Sequence, residues 1–481
     1  MKPKRVVIAG GGISGLAAAY FLVQKAKEEK LPLDLKLLEA KDRLGGVIET
    51  RHQEGFLLEA GPDSFISEKP WGLELCRRLG LEKELIGTRT EFRRSFIFSQ
   101  GKLAGVPPGF YLIAPLAIPE FLQSRILSWS GKFRVLAELF LPPEKISEDE
   151  SIGHFIKRRF GREALERVGQ PLVGGIYAGD LDHLSLQATF PRFLQMEKEY
   201  GSVIRGLRAS KNSLEADGSL EASGPRYSLF LSLQGGIRRI VETLAERLKG
   251  QVDFVLSSAI SKISFSGQEW KIETVKETFE AEAICLAVPS YGAARLVKPF
   301  APELAGSLSK ILYESVVTVN LAYRDKDIHP VPQGFGFVVP QLEKKKIIGC
   351  TFSSIKYPGR APEGFILIRA FLGGAFQKEV FDLPDAALEK AVRGELYEIL
   401  GIKARPYFSQ ISRFPRSMPR YEVGHLDLVR TIREQLKNHS GLFLTGNAYT
   451  GIGIPDCIHA AEKTAATIWE SVHSDIYGAR V

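Results

Sequence analysis

The stretch "VVIAGGGISGLAAAY", Val6 to Tyr20, constrains the fold more than any other segment of the chain. An apolar run ends in three glycines, and beyond Ser14 and Gly15 small residues follow at helical spacing. This is the pattern of a buried strand turning directly into a helix. Gly10 suits the tight turn, Gly12 lets a pyrophosphate approach the backbone, and Gly15 lets a helix starting near Ile13 pack closely on the strand. The unpaired N–H groups at such a helix start face phosphate oxygens. Two other readings stand beside this one. The basic Met1 to Arg5 resembles the front of a secretory signal, but the glycines interrupt an apolar helix and no small-residue cleavage site precedes "QKAKEEK". A strand and turn with no ligand also fits the glycines taken alone. The expected acidic partner is Glu39, closing a second apolar strand, "LDLKLLE", where a carboxylate would hydrogen-bond ribose hydroxyls. The slightly long spacing is taken up by the charged "KAKEEKLPLD", read as an extension of the helix and turn on the surface.

A chain of 481 residues is too long for one compact core, so two or three domains are expected. Hydrophobic residues at 44% and charged residues at 25% are typical of folded, soluble proteins. No segment approaches the ~18 uninterrupted apolar residues of a membrane-spanning helix. The net charge of +8, from 64 basic against 56 acidic residues, suits mild attraction to anionic surfaces or an acidic substrate, and no nucleic-acid-binding signature accompanies it. Cys76, Cys285, Cys350 and Cys457 are far apart and form no C-x-x-C, so neither a metal site nor a disulfide framework is indicated. A reducing, cytoplasmic setting follows.

Along the chain the fold class reads as α/β, in part α+β. A Rossmann-like nucleotide-binding domain is assembled from residues 1–86, 232–288 and 434–481. A sheet-rich second domain takes 87–105, 200–231 and 289–433, and a helical subdomain takes 106–199. In the second domain "VVTVNLAY", "GFGFVVP" and "FILIRAFLGG" alternate as strands with a helix near Ala386 to Leu400. The helical part is Pro-punctuated and apolar, with Phe, Leu and Trp set among Arg125, Lys132 and Arg134, which suits either its own core or a membrane surface. Leu207 to Ser228 is polar and rich in Gly and Ser, and reads as a loop.

The opening glycines have partners. "KDRLGGVIET" supplies Arg43, Gly45 and Gly46, paired glycines that admit close approach of a ligand beside an arginine suited to a diphosphate. "LLEAGPDSF" brings Glu59, Gly61 and Pro62, and "GNAYTGIGIPDC" is a late glycine-rich turn into a helix whose N–H groups suit a flavin ring edge. The set G-G-G-I-S-G-L, E-A, R-L-G-G, G-P and the late turn is similar to the FAD-dependent amine-oxidase and desaturase superfamily. Within it, "PLVGGIYAGDLDHLSLQATFPRFLQMEKEYGSVIRG" and the Asp456-Cys457 ending resemble the porphyrinogen oxidases of haem biosynthesis, over nearly the whole chain.

The resemblance implies non-covalent FAD held by Gly10, Gly11, Gly12, Ile13, Ser14 and Gly15, by Glu39 and Ala40, and by Val47, with Arg43, Gly45 and Gly46 as close neighbours. Gly61, Pro62, Asp63 and Ser64 follow, then Ile260 in the strand after the amphipathic helix that follows Gly235-Gly236, and Gly446, Asn447, Ile452, Gly453 and Ile454. Core packing is the lesser alternative for Val47, Ile260 and the isoleucines. It further implies six-electron oxidation of a porphyrinogen, coproporphyrinogen III or protoporphyrinogen IX, by oxygen with peroxide release. No catalytic triad and no metal are expected. Arg93 or Arg94, in the strand-like "EFRRSFIF", is the expected partner of a substrate carboxylate, and Gly175 and Tyr177 are expected near the cavity. A homodimer, peripheral contact with the inner face of the cell membrane, and hand-off to a ferrochelatase-type enzyme complete the expectations. An amine oxidase, a carotenoid desaturase and a non-catalytic flavin carrier remain open alternatives.

Overall fold

The computed structural model describes residues 2–107, 110–111, 113–144, 148–216, 230–267, 269–328 and 332–473. A five-stranded parallel sheet lies at its centre. Its spatial order is Asp253–Val255, Leu33–Leu38, Lys4–Ala9, Ala283–Leu286 and Leu442–Leu444. Numbered along the chain this is 3-2-1-4-5, so the strand order reverses beside Lys4–Ala9, and a ligand crevice opens at the carboxyl ends there. Val6 to Ala9 are buried throughout, as expected of a strand covered on both faces.

The helices Ile13–Glu29, Pro70–Leu79, Arg238–Leu248 and Ile454–Val472 share one apolar core on one face of this sheet. The other face packs a small antiparallel sheet, Ile260–Ala281, with the helices Ser290–Val297, Pro302–Ser309 and His425–Leu436. Residues 290–309 and the front of 425–436, assigned from sequence to the sheet-rich domain, therefore pack on the nucleotide sheet. Each of these helices is short and turns only a few apolar side chains inward, so local periodicity is weak.

The second sheet has seven strands in the order Phe408–Pro419, Tyr313–Arg324, Phe365–Gly373, Ile347–Phe352, Gly336–Val338, Ser95–Ser99 and Lys102–Gly105. Its neighbours are antiparallel except Gly336–Val338 with Ser95–Ser99. The helix Asp385–Leu400 covers one face.

A third core is helical and joins Phe121, Phe155, Phe160, Phe193, Val203 and Leu207. The segment expected as a loop from Leu207 begins as a helix, Val203–Ala216, whose first turns belong to this core and not to the sheet domain. The remainder of that expected loop lies outside the described residues. Among the described residues no helix is long and apolar enough to cross a membrane.

Candidate cofactor and substrate site

The opening turn forms as its glycines dictate. Gly10 takes a φ of +111°, in the region closed to most side chains, and a Cβ at Gly15 would stand 1.9 Å from the Gly10 carbonyl oxygen. The helix Ile13–Glu29 can therefore seat against the strand only with hydrogen at that position. Gly12 is the N-cap and offers no side-chain cap, and the first turn carries no acidic residue, so its amides remain available to an anion.

Glu39 follows the second strand and is buried. Its Oε2 accepts the Gly11 N–H at 2.7 Å, and its Oε1 accepts the Lys41 N–H at 2.8 Å. Each carboxylate oxygen keeps acceptor capacity beyond that one bond. The Glu39 N–H donates to the Val255 carbonyl at 3.0 Å, and the Ser258 N–H donates to the Glu39 carbonyl at 2.8 Å. The strand after the Gly-Gly helix is thus Asp253–Val255, and Ile260 opens the next strand, packed partly buried against the second core. Ala40 is exposed beside Glu39.

The Arg43 to Val47 loop lies against the opening turn. The Gly45 N–H donates to the Gly11 carbonyl at 2.8 Å, and Gly12 and Gly45 bridge in parallel. Arg43 is engaged locally: its guanidinium donates to the Gly46 carbonyl at 3.0 Å and pairs with Glu49 at 2.7 Å. It holds the loop closed while its charge remains close to the turn. Val47 is 44% exposed, which sets aside core packing for it. A Cβ at Gly12 would meet nothing closer than Gly46 Cα at 4.0 Å. Open space therefore lies beside a helix start, flanked by the Glu39 carboxylate, and this cradle fits the diphosphate and ribose of FAD.

The Gly61 to Ser64 loop is gripped from the second sheet. Thr318 Oγ1 donates to the Ala60 carbonyl at 2.9 Å, Asn320 Nδ2 to the Glu59 carbonyl at 3.1 Å, and the buried Arg369 guanidinium to the carbonyls of Ala60 and Gly61. Asp63 pairs with Lys356 at 3.0 Å and accepts the Ser64 hydroxyl at 2.7 Å. Burial alone would raise its pKa, but Lys356 and Arg369 hold the carboxyl well below the usual range. Burial raises the pKa of neighbouring Glu59, despite bonds from the Ile237 N–H and the Thr50 hydroxyl.

The late turn comes back to the first one. Gly446 and Gly451 adopt φ values of +132° and +143°, and the helix Ile454–Val472 starts at Gly453 without a side-chain cap. Cys457 lies beside Ser14, and burial pushes its thiol up to about 12. The two helix starts therefore stand side by side. Asp456 forms a bidentate pair with Lys69 at 2.7 and 2.8 Å. Asn447 Nδ2 approaches the Ser417 carbonyl at 3.4 Å. Ile452 is partly exposed on this turn, whereas Ile454 is buried in the first core.

The expected substrate residues are placed unevenly. Leu165–Gly174 is π-helical with Pro171 inside it, and Gly175–Tyr177 follows as a short helix ending at Ala178, whose φ is +51°. Such a wide helical turn carries strain and marks functional segments. Gly175 is exposed with open space around its missing side chain. Tyr177 packs edge-on against Phe190 at 5.8 Å, and burial together with the Asp456 charge raises its phenol pKa. The Y-A-G-D loop thus adjoins the late glycine turn.

Arg93 and Arg94 are exposed and precede the strand, which begins at Ser95, because Thr90–Phe92 forms a tight helical turn. This corrects their placement within a strand. Besides Arg43, the cations engaged with the site loops are Lys356, Arg369 and Lys69, which the sequence motifs do not single out. A charged residue inside an apolar strand, as Arg369 in "FILIRAFLGG", was the available signal. Among the described residues no cluster of metal-ligating side chains occurs, and all four cysteines are buried free thiols.

The sequence profile described as flavin containing amine oxidoreductase matches residues 13–469. A Bacillus subtilis (strain 168) coproporphyrinogen III oxidase is 35% identical over 95% of this chain and 96% of its own length. Protoporphyrinogen oxidase 1, chloroplastic, of Arabidopsis thaliana is 32% identical over 96% of this chain and 87% of its own. A crystal structure of an Exiguobacterium sp. 255-15 protein superposes with a TM-score of 0.86 at 31% identity, covering 97% and 99% of the two chains.

Proposed function

Since the chain belongs to the flavin-containing amine oxidoreductase family, as an FAD-dependent oxidoreductase, we propose that it oxidises a porphyrinogen of haem biosynthesis to the porphyrin. Coproporphyrinogen III is the favoured substrate and protoporphyrinogen IX the second. The observation that carries this reading is the near full-length similarity to porphyrinogen oxidases, coupled to the way the Y-A-G-D loop adjoins the late glycine turn. Three relatives at 31–35% identity are coproporphyrinogen III oxidases, which supports the order of preference.

FAD would be held by the Gly10–Gly15 turn, Glu39, the Gly45–Val47 and Gly61–Ser64 loops, and the turn from Gly446 to Ile454. When bound it supplies two-electron oxidation, applied three times per macrocycle, with oxygen as final acceptor and three molecules of hydrogen peroxide released. The chain's own residues bind, orient and exclude water. The Gly12 helix start faces a diphosphate, Glu39 offers acceptor capacity for ribose hydroxyls, and Thr318, Asn320 and Arg369 fix the Gly61 loop so that it cannot collapse into the cradle. Gly175 has open space where a side chain would stand, which leaves room for a flexible macrocycle. Arg93 or Arg94 takes a propionate.

The remaining associations extend this proposal. Trp129, Phe133 and Phe140 are 63%, 64% and 84% exposed on the helical part, and the nearby Arg125 is exposed as well. This suits peripheral contact with an anionic bilayer from the cytoplasmic side. A homodimer and product hand-off to a ferrochelatase-type enzyme complete the picture.

Incubating the FAD-loaded protein with coproporphyrinogen III and with protoporphyrinogen IX, side by side, tests the proposal. Porphyrin fluorescence and peroxide should rise together, faster with coproporphyrinogen III. Absence of porphyrin from both overturns it. An unchanged Michaelis constant in both the Arg93→Ala and Arg94→Ala variants removes the arginine assignment.

A further inference from the structure

Tyr421 lies just beyond the long strand Phe408–Pro419 and is 2% exposed. Its hydroxyl donates to the Asn447 carbonyl at 2.6 Å and accepts the Gly451 N–H at 2.8 Å. One side chain from a distant segment thus joins the two ends of the Asn447–Gly451 turn. No apolar ring can do this, because the turn presents one acceptor and one donor, and the single phenolic oxygen of Tyr421 serves both.

The same residue reaches the helical part. Its own carbonyl accepts the Ser185 N–H at 2.7 Å, and the Val423 N–H donates to the His183 carbonyl at 3.0 Å. Leu184 and Glu422 form a β-bridge between these contacts. His425 stacks on the Tyr421 ring, with centroids 3.9 Å apart and planes at 12°, and its Nε2 lies 3.1 Å from the Tyr449 carbonyl, again in the turn. Burial, and after it the nearby Cys457, Tyr177 and Asp456 side chains, raise the pKa of the phenol.

We propose that Tyr421 is a positioning residue that sets the flavin-end turn and couples its geometry to the Y-A-G-D segment. This rests on the assignment of FAD to the site. Both hydroxyl bonds land on backbone in the glycine turn and not on core side chains. Their loss changes where the following helix start, Gly453 and Ile454, sits relative to a bound ring system, while the apolar cores keep every contact.

The test compares wild type and Tyr421→Phe in FAD-binding titrations of the apoprotein and in the visible absorption and midpoint potential of the reconstituted holoprotein. The expected result is a dissociation constant raised about tenfold, equivalent to ~1.4 kcal/mol, with displaced flavin bands, a shifted potential and unchanged far-ultraviolet circular dichroism. Wild-type affinity with superimposable bands and potential overturns the proposal, even if thermal stability falls, since that pattern belongs to a packing residue. Should Tyr421→Phe not fold, His425→Leu keeps the hydroxyl but removes its stacked support and the Tyr449 contact. It should move affinity and spectrum in the same direction by a smaller factor, and wild-type values there overturn the proposal equally. A wild-type protein that fails to take up FAD refutes the cofactor assignment itself, an outcome distinct from an unaltered variant.

Discussion

Gly12 and Gly15 stand three residues apart on one turn, and alanine at each should do opposite things. At Gly15 a Cβ would lie 1.9 Å from the Gly10 carbonyl oxygen, against the 3.4 Å at which ordinary contact begins. The helix start must withdraw by about 1.5 Å, the difference of those distances. Overpacking of this kind typically destabilises by ~1–3 kcal/mol. The displaced atoms are the amides proposed to face the diphosphate, so affinity should fall as well as stability. If ~2 kcal/mol is expressed in binding, the FAD dissociation constant rises about thirtyfold. At Gly12 the backbone is extended, with φ −73° and ψ −179°, which alanine adopts without strain, and its Cβ would enter open space. Gly12→Ala should keep the apoprotein's melting temperature and lose FAD affinity because the methyl group occupies the cradle. Differential scanning calorimetry of the apoproteins, with fluorescence-quenching titrations of FAD, separates the two variants. A Gly12→Ala protein that binds FAD like wild type, or a Gly15→Ala apoprotein of unchanged melting temperature, refutes the reasoning.

Three further outcomes follow from the same geometry. Burial lowers the His425 pKa from 6.5 to about 4, so the unfolded state takes up a proton that the folded state refuses as pH falls between those values. Stability should therefore drop by an order of 3 kcal/mol across that window, and His425→Gln should flatten the dependence of melting temperature on pH there. Arg369→Met removes the guanidinium from the Ala60 and Gly61 carbonyls and from the field of Asp63, and should cost about 1–3 kcal/mol in urea denaturation, chiefly for the carbonyls left without that donor. Replacing Trp129 and Phe133 together by serine should reduce co-sedimentation with anionic vesicles about tenfold or more, while the melting temperature stays unchanged because both rings are more than three-fifths exposed.

What was legible in the chain was local. The first strand, turn and helix follow from residues within fifteen positions of one another, and Glu39 follows from the end of the next strand. The sheet order was not written there, because Asp253–Val255, Ala283–Leu286 and Leu442–Leu444 enter the sheet after long excursions. The alternation in "SFIF" extends on paper back over Arg93 and Arg94, whereas Thr90–Phe92 turns tightly and the ladder starts at Ser95. The helices at 290–309 were passed over because each is only eight residues long and their apolar positions face a sheet that the local sequence does not reveal.

The glycine motifs are legible in the chain, and the side chains that support them are not. A motif of glycines presents backbone, and backbone groups in a loop need partners from somewhere. For Glu59 to Gly61 the partners are Thr318, Asn320 and Arg369, more than 250 residues away, and for Asn447 to Gly451 the partner is Tyr421. Each of these side chains is buried and polar within or next to a strand of the second sheet. In sequence such a residue reads as an interruption of an apolar pattern. In the fold it attaches the seven-stranded sheet to the proposed cofactor loops by directional bonds, so a displacement of that sheet is felt first at those two loops.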